Sequence, residues 1–314
     1  MPVGNPGSFL RGGEFFSPVQ ARFCTDEVLL SELRQPFSRS VPRHEHELAY
    51  VTVMLCGDYL EGDRGKLDEV PPLTAVFNPA GAAHSTLIGP GGASLFTIEL
   101  REENLRHLGV RLPRRTTFDR GTGDILWPGL RLYSAFRAQT DGPRAQDGTL
   151  EASVREAHLL ELLGAIAGFE KPGLESKGYE SKDKLAPRWF GRVKERLHEG
   201  FREPLRMGDL AREAGVHPVH LARAFRKFEK RTPGEYQQRL QLRAACELLR
   251  DPEWPLAMIA AECGFSDQSH FTRIFRRLAG TTPAQFRRAV VCRVTAPRVG
   301  TWPRTSRCPK CLSQ

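Results

Sequence analysis

The sequence predicts an α+β protein of more than one domain, with a β-barrel and helices in the front half and an all-α domain in the back half. From about residue 22 to 100, short runs rich in β-branched and aromatic residues are broken by Gly and Pro about every ten positions, which is typical of a sandwich or barrel. From about residue 124 the apolar residues recur at helical spacing. A length of 314 residues favours two domains.

Composition divides the chain further. The Gly- and Pro-rich start predicts a flexible N-terminus, and a polar stretch after the first helices predicts a linker. The predicted segments are 1–20 (flexible), 21–123 (barrel), 124–169 (helical), 170–187 (linker), 188–290 (all-α domain) and 291–314 (disordered basic tail). The helical segment carries an apolar stripe that either packs on the barrel or forms a dimerisation face. That stripe consists of Leu150, Val154, Ala157, Leu160 and Leu163.

The formal net charge of +9 is unevenly distributed. Residues 188–290 hold 20 basic and 12 acidic side chains, whereas residues 1–187 hold 21 basic and 25 acidic ones. This asymmetry favours a polyanion such as nucleic acid as the partner of the back half, although solvated Arg-rich helices give the same pattern.

Several features indicate a cytoplasmic protein. No stretch approaches the roughly 18–20 apolar residues of a membrane span, and the N-terminus lacks the apolar region of a secretory signal. The seven cysteines are scattered and odd in number, so they do not indicate a disulfide framework. The pair Cys308-x-x-Cys311 in the tail has no second pair and is weak evidence for zinc.

The back half contains an internal repeat. The segment DLAREAGVHPVHLARAFRKFEKRTPGEY is matched by MIAAECGFSDQSHFTRIFRRLAGTTPAQF, with Gly215 matching Gly264 and Thr232-Pro233 matching Thr282-Pro283. Each copy predicts a short helix, a Gly turn and a second helix. The first helices are expected over about 207–214 and 256–263, and the second over about 218–229 and 268–279.

The second helix of each copy has a predicted outward face with nucleic-acid chemistry. The apolar residues at i, i+4 and i+7 face the core, namely Leu221, Phe225 and Phe228 in one copy and Phe271, Phe275 and Leu278 in the other. The opposite faces then consist of Val219, Ala222, Arg223 and Arg226, and of Ser269, Thr272, Arg273 and Arg276. Arg can bond guanine, Gln268 can pair with adenine, and Ser and Thr bond base edges or phosphate. The alternative for each helix is an ordinary solvated face.

Basic residues further along these helices are placed to contact phosphates flanking a groove. They are Arg226, Lys227, Lys230, Arg231, Arg276 and Arg277. Between the copies, a helix of about 18 residues starting at Thr232-Pro233 would span roughly 27 Å. A rigid helix of that length could hold two reading helices about one DNA turn apart, roughly 34 Å.

Residues 190–288, about a third of the chain, resemble the double helix-turn-helix DNA-binding domain of the AraC/XylS family of bacterial transcription regulators. The resemblance implies that the second helix of each motif enters the major groove of double-stranded DNA. It places base-reading positions on Val219, Ala222, Arg223, Gln268, Ser269, Thr272 and Arg273. The first reading helix departs from the usual pattern because Pro218, Val219 and Ala222 offer few hydrogen-bonding groups, so Arg223 is expected to carry most of its base contacts, with His217 or His220 helping. Activation through RNA polymerase is the family's usual mode, and repression is the alternative.

Two stretches of the front half, His44-x-His46 and Pro79-x-Gly81-x-x-His84, resemble the two motifs of a cupin barrel, as found at the front of many AraC-type regulators. Three neutral imidazoles can hold Zn, Fe, Ni or Cu. However, the Glu of the cupin pattern falls near Tyr50 and its Asn near Ile88. We therefore expect no metal, no cofactor and no catalytic residue, and instead a ligand pocket at the barrel mouth formed by His44, His46, Tyr50 and His84.

The sequence thus predicts a cytoplasmic, sequence-specific transcription regulator, with a cupin-like sensor domain over 21–123 and a DNA-binding domain over 188–290. A small-molecule effector would shift the population of DNA-binding states, and a homodimer is a further expectation. Two alternatives remain open: a metal-dependent cupin enzyme with a DNA-binding appendage, and a nucleoid-type binder without sequence preference.

Overall fold

The structure is a computed structural model that describes residues 8–63, 65–119, 123–141, 148–168 and 186–290, without the side chains of 141, 148–151, 289 and 290. Residues 1–7, nearly all of the predicted linker 170–187 and the predicted tail 291–314 lie outside the described residues. The described chain forms two compact units, one built mainly from residues up to 168 and the other mainly from residues 186–277 and 282–286. None of the described helices is long and apolar enough to cross a bilayer.

The first unit is built on one curled sheet, half of a barrel, with nine strands among the described residues. The strands are β1 (Ser8–Leu10), β2 (Val19–Cys24), β3 (Val28–Gln35), β4 (Arg39–His46), β5 (Ala49–Asp63), β6 (Lys66–Glu69), β7 (Ala75–Asn78), β8 (His84–Leu100) and β9 (Thr117–Asp119). Their order is β1-β4-β8-β5-β7-β9, while β3 pairs with β2 and β8, and β6 pairs with β5. The pairings are antiparallel except for β1 with β4.

The two longest strands curl the sheet. The register between β5 and β8 shifts twice, between Met54 and Cys56 and between Gly57 and Tyr59, and such irregularities bend a strand. Gly57 has φ 102°, and a Cβ there would lie 2.1 Å from the carbonyl oxygen of Gly92. Only glycine therefore fits at this bend.

The N-terminal segment corrects one expectation. Residues 8–10, predicted to belong to a flexible N-terminus, form β1 and pair in parallel with β4. The backbone N–H of Gly13 then donates to the buried carboxyl group of Glu99, 3.0 Å away. The segment is ordered because it pairs with β4 and bonds Glu99 of β8, both of which lie far along the chain.

The described part of this unit also contains three helices and a short 3₁₀ turn at Arg106–Leu108. The helices are α1 (Glu102–Leu105), α2 (Leu126–Asp141) and α3 (Gly148–Ala167). The ring of Phe96 on β8 contacts Tyr133 and Phe136 of α2, with centroids 5.1 and 5.3 Å apart, which places α2 on the sheet.

The apolar stripe expected on α3 does not form one buried face. The buried residues are Leu159, Leu162, Leu163 and Ile166, spaced at i, i+3, i+4 and i+7. Val154 and Leu160 are 43% and 45% exposed, Ala157 is exposed, and the side chain of Leu150 lies outside the described residues. Of the expected stripe, Leu163 alone is shown to be buried, so a dimerisation face on α3 stays a prediction.

The second unit is helical. Its helices are α4 (Arg188–Glu199), α5 (Met207–Ala214), α6 (Pro218–Phe228), α7 (Pro233–Leu249), α8 (Leu256–Glu262), α9 (Gln268–Ala279) and α10 (Pro283–Val290). The predicted bounds of α5, α6, α8 and α9 are confirmed to within one residue. One core joins Phe190 of α4 to Leu210, Phe225 and Tyr236.

Candidate functional site

The turns of the two repeat copies have the same hydrogen bonds. The N–H groups of Val216 and Phe265 donate to the carbonyls five residues earlier, and those of Gly215 and Gly264 donate to the carbonyls three residues earlier. Both glycines are left-handed, with φ 68° and 80°. This is the Schellman pattern, which ends one helix and sets the direction of the next.

The starts of the following helices also match. Thr232 and Glu235 form a capping box at α7, in which the N–H of Glu235 donates to the Thr232 hydroxyl at 3.2 Å. Thr282 and Gln285 repeat it at α10, with a corresponding bond of 3.3 Å. The two Thr-Pro dipeptides therefore act as helix starts in both copies.

The helix starts of α6 and α9 differ. The His217 ring Nδ1 accepts from the N–H of Val219 at 3.3 Å, a long bond. At α9 the Asp267 carboxylate accepts from the N–H of His270 at 2.7 Å, and this bond, followed by one from the Ser266 hydroxyl, lowers the pKa of Asp267. The second copy has the stronger N-cap.

The inward and outward faces of α6 and α9 lie as predicted. Leu221, Phe225, Phe271 and Phe275 are fully buried, while Phe228 and Leu278 are half-buried. The predicted base-reading side chains lie on the opposite faces: Val219, Arg223, Gln268, Ser269 and Arg273 are exposed, and Ala222 and Thr272 are half-buried.

The exposed face of α9 lines an open depression of about 590 Å³. Gln268, Ser269, Thr272 and Arg273 lie along it, and Arg276, Arg277 and Thr282 complete its wall. Hydrogen-bond donors and acceptors therefore share one concave surface with guanidinium groups, which suits base edges flanked by phosphates.

Two of the predicted phosphate-contacting side chains lie against a neighbouring residue. Arg277 donates to the Gln238 amide oxygen of α7 at 2.7 Å, and the Lys227 ammonium lies 5.4 Å from the Phe228 ring. Arg226, Arg276 and Lys230 are exposed, and Lys230 has a left-handed backbone with φ 57°.

Two buried glutamines of α7 bond the segment after α4, and one of them also bonds the turn of the second copy; sequence reasoning missed both. The Gln237 amide donates to the carbonyls of Phe201 and Glu203 at 2.9 and 2.6 Å. The Gln241 amide donates to the carbonyls of Phe201 and Gly264 at 3.0 and 3.3 Å. Their spacing of four residues inside an apolar helical pattern was the available signal.

The first unit brings the four predicted pocket residues together. His44 and His46 lie on β4, His84 starts β8, and one ring nitrogen from each lies within 4.8 Å of the others. The Tyr50 hydroxyl is 3.2 Å from His84 Nε2. Phe15 and Phe16 lie against the rings of His46 and His44, and the partly open pocket measures about 50 Å³.

Backbone carbonyls hold the rings of His44 and His84, and burial keeps His44 and His46 uncharged near neutral pH. Nδ1 of His44 is 2.8 Å from the carbonyl of Pro42, and Nδ1 of His84 is 3.4 Å from that of Ala82. Burial, then the charge of His84, lowers the pKa of His44 to about 4 and that of His46 to about 2.

A buried polar chain behind the pocket was also missed. The Asn78 amide donates to the Tyr50 hydroxyl at 3.1 Å and to Glu61 at 2.6 Å, and the Tyr59 hydroxyl donates to Glu61 at 3.0 Å. Burial, and then the charge of Glu61, raises the pKa of Tyr50 well above its ordinary value. Burial also raises the pKa of Glu99 to about 7. Because β5 bends at Gly57, its side chains do not follow a strict two-residue alternation between the two faces, so the sequence alone does not predict this alignment.

The helical unit is similar in sequence to domains of known proteins. A helix-turn-helix domain family matches residues 210–289. The probable transcription factor PqrA of Proteus vulgaris is 38% identical over 85 residues, which cover 27% of this chain and 70% of that protein. The chain belongs to the AraC/XylS family of transcription regulators. A second relative of this AraC/XylS protein, SoxS of Salmonella typhimurium, is 34% identical over 91 residues, covering 29% of the chain and 85% of SoxS.

A further relative aligns with residues well beyond the helical unit of this AraC/XylS regulator. The transcriptional activator RhaR of Mannheimia succiniciproducens is 22% identical over 282 residues, covering 84% of the chain and 94% of RhaR. Among solved structures, ToxT from Vibrio cholerae covers 85% of the chain at 11% identity with a TM-score of 0.33. A regulator from Chromobacterium violaceum covers 32% at 28% identity with a TM-score of 0.31.

Proposed function

We propose that the chain is a sequence-specific transcription activator that reads adjacent major-groove segments with the two helices α6 and α9 of a double helix-turn-helix domain. The observation that carries the proposal is the pair of exposed faces held on matched scaffolds, with the same turn hydrogen bonds and corresponding capping boxes. The domain division follows the predicted one, with residues 188–290 as the DNA-binding domain and residues 21–123 as a cupin-like sensor.

The second helix, α9, carries most of the base discrimination. Arg273 binds a guanine, Gln268 reads an adenine, and Ser269 and Thr272 contact neighbouring base edges. The support is that all four line one open depression whose remaining wall is basic.

The first helix, α6, reads fewer bases. Val219 is 50% exposed although it is apolar, which suits contact with a thymine methyl group, and Ala222 permits close approach. Arg223 is an exposed hydrogen-bonding group next to Ala222 on this face. Arg226, Lys227, Lys230, Arg276 and Arg277 bind phosphates on either side of the two helices.

The helix α7 sets the spacing of the two reading helices. It has 17 residues and is therefore about 26 Å long. Because Gln237 and Gln241 tie it to the segment after α4 and to the Gly264 turn, it acts as a rigid spacer suited to sites about one helical turn, or ~34 Å, apart.

The first unit is the regulatory half in this proposal. An effector that binds at the pocket of His44, His46, Tyr50 and His84 shifts the population of DNA-binding states, and the chain acts as a homodimer that contacts RNA polymerase. Activation is supported by the name of the relative RhaR.

The test is selection of bound sequences from a random duplex library by the full chain at about 150 mM salt. We expect two boxes about one helical turn apart. In matched selections, Arg223→Ala should relax one box and Arg273→Ala the other. A single box that only Arg273→Ala relaxes would contradict base reading by α6. No enrichment at all would contradict sequence-specific binding.

A further inference from the structure

The three pocket histidines are arranged as ligands for one ion. A ring nitrogen from each lies within 4.8 Å of the others, and all three side chains are buried. Two nitrogens on one zinc ion lie about 3.4 Å apart, given bonds of about 2.1 Å. The rings therefore need to close by no more than about 1.4 Å, which small side-chain rotations supply.

The hydrogen bonds around the rings orient their lone pairs inward. Nδ1 of His44 and Nδ1 of His84 face the carbonyls of Pro42 and Ala82, so each donates a proton there and leaves Nε2 as an acceptor. A metal-bound histidine is commonly held in this way, with one nitrogen on a carbonyl and the other on the ion. Among the described residues, the buried Nδ1 of His46 has no hydrogen-bond partner. Buried polar atoms seldom lack a partner, so this nitrogen is available to an ion.

The surroundings provide room and charge for an ion. The cavity of about 50 Å³ fits an ion with one or two waters, but is far smaller than the roughly 300 Å³ of common small-molecule sites. The Tyr50 hydroxyl faces His84 Nε2 and is linked through Asn78 to the buried carboxyl group of Glu61. This chain places an acidic group behind the cluster, where it can offset a divalent charge.

We propose that His44, His46 and His84 bind one divalent first-row transition-metal ion of the zinc class, and that this ion is the signal to which the regulator responds. The regulatory half of the proposal rests on the proposed function, whereas the binding site stands on its own geometry. The Tyr50 hydroxyl, released from His84, hydrogen-bonds a water on the ion. Three neutral nitrogen ligands suit zinc, nickel or copper better than magnesium or calcium.

Binding is tested on the full chain, freed of metal with a chelator and titrated with Co²⁺ and then Zn²⁺. The chain carries Cys308→Ser and Cys311→Ser so that the tail cannot contribute ligands. We expect one ion per chain, with the visible cobalt spectrum of nitrogen ligation. His46→Ala and His84→Gln should each weaken binding by more than the roughly 10–100-fold that loss of an outer partner costs.

The control is His107→Ala, which removes an exposed histidine of the 3₁₀ turn and should leave affinity unchanged. Circular dichroism of the ion-free variants shows whether they fold, and His84→Gln provides a second variant of similar volume if His46→Ala does not. Absence of stoichiometric binding, or equal affinity in folded His84→Gln, overturns the site.

The regulatory half is measured separately, as the affinity for the selected duplex with and without Zn²⁺. We expect a change of at least about fivefold, at the lower end of ordinary allosteric coupling, that is lost in His84→Gln and kept in His107→Ala. Stoichiometric ion binding with unchanged duplex affinity overturns the ion as signal. Failure to select any duplex overturns the proposed function while leaving the cobalt result as the test of the site.

Discussion

The two repeat copies share a scaffold but differ in the surface that they expose. Their turns have the same hydrogen bonds, and Thr232 and Thr282 form matching capping boxes. Yet α6 exposes Val219 where α9 exposes Ser269, with Gln268 added before it. Backbone geometry therefore positions both helices, while a few outward side chains decide what each can recognise.

The copies also differ in how tightly the turn is packed. A Cβ added at Gly215 would meet nothing within 4 Å, whereas one at Gly264 would lie 2.2 Å from the carbonyl oxygen of Arg202. The second turn is thus pressed against the segment after α4, where Gln241 also donates to the carbonyl of Gly264. This junction fixes the position of α9 relative to α7.

The largest expected effect is on the free energy of unfolding, and it differs between the two turns. Gly215→Ala should cost about 1–2 kcal/mol, the strain of a left-handed alanine. Gly264→Ala should cost about twice that, since the backbone of Arg202 must also move. Chemical unfolding of the helical unit, followed by hydrogen exchange in α5, α6, α8 and α9, measures both. Equal losses would show that the contact with Arg202 is not tight.

The next effect tests base reading in each copy. Arg273→Ala should cost about 1–3 kcal/mol of binding to the selected duplex and relax preference at one base pair. Arg223→Ala should relax a base pair in the other box, with a larger share of that box's preference lost, because its neighbours are apolar. Duplexes with single base changes, titrated against each variant, measure this. If an arginine variant loses the same affinity for every duplex, that arginine does not read a base.

The structure shows how far sequence reasoning reaches. Local signals such as Gly215 and Thr232-Pro233 predicted helix bounds to within one residue, because the glycine turn and capping box act over a few positions. Strand β1 and the bond from Gly13 to Glu99 were not predictable, since their partners lie far away in sequence. Of the pocket, His44 and His84 came from motif spacing, but Glu61 depends on the bend at Gly57.

A smaller effect distinguishes the helix starts. Asp267→Ala should destabilise α9 more than His217→Ala destabilises α6, because the Asp267 bond is shorter and charged. The pKa of Asp267 in the fold lies below its ordinary value. Its stabilisation is therefore present above that ordinary value and is lost as pH falls through the lowered pKa. Hydrogen exchange at the first turns of α6 and α9 checks the order, and Asp267→Asn, which keeps the cap, is the control.

The smallest effect concerns the phosphate contacts, where Lys227 and Arg277 occupy matching positions of the two helices. Each substitution by Ala should weaken binding to selected and random duplexes by the same factor and flatten the slope of log affinity against log salt by about 0.9. Arg277→Ala should cost more, because Gln238 already holds its guanidinium in place and little side-chain entropy is lost on binding. The Lys227 ammonium lies 5.4 Å from the Phe228 ring, and an ammonium on a flexible stem lacks the preorganised planar fork of a guanidinium. Gln238→Ala tests whether the hydrogen bond to Arg277 causes this difference. In that background, the affinity lost on Arg277→Ala should fall to the affinity lost on Lys227→Ala. An unchanged salt slope in either variant would mean that the residue does not contact phosphate.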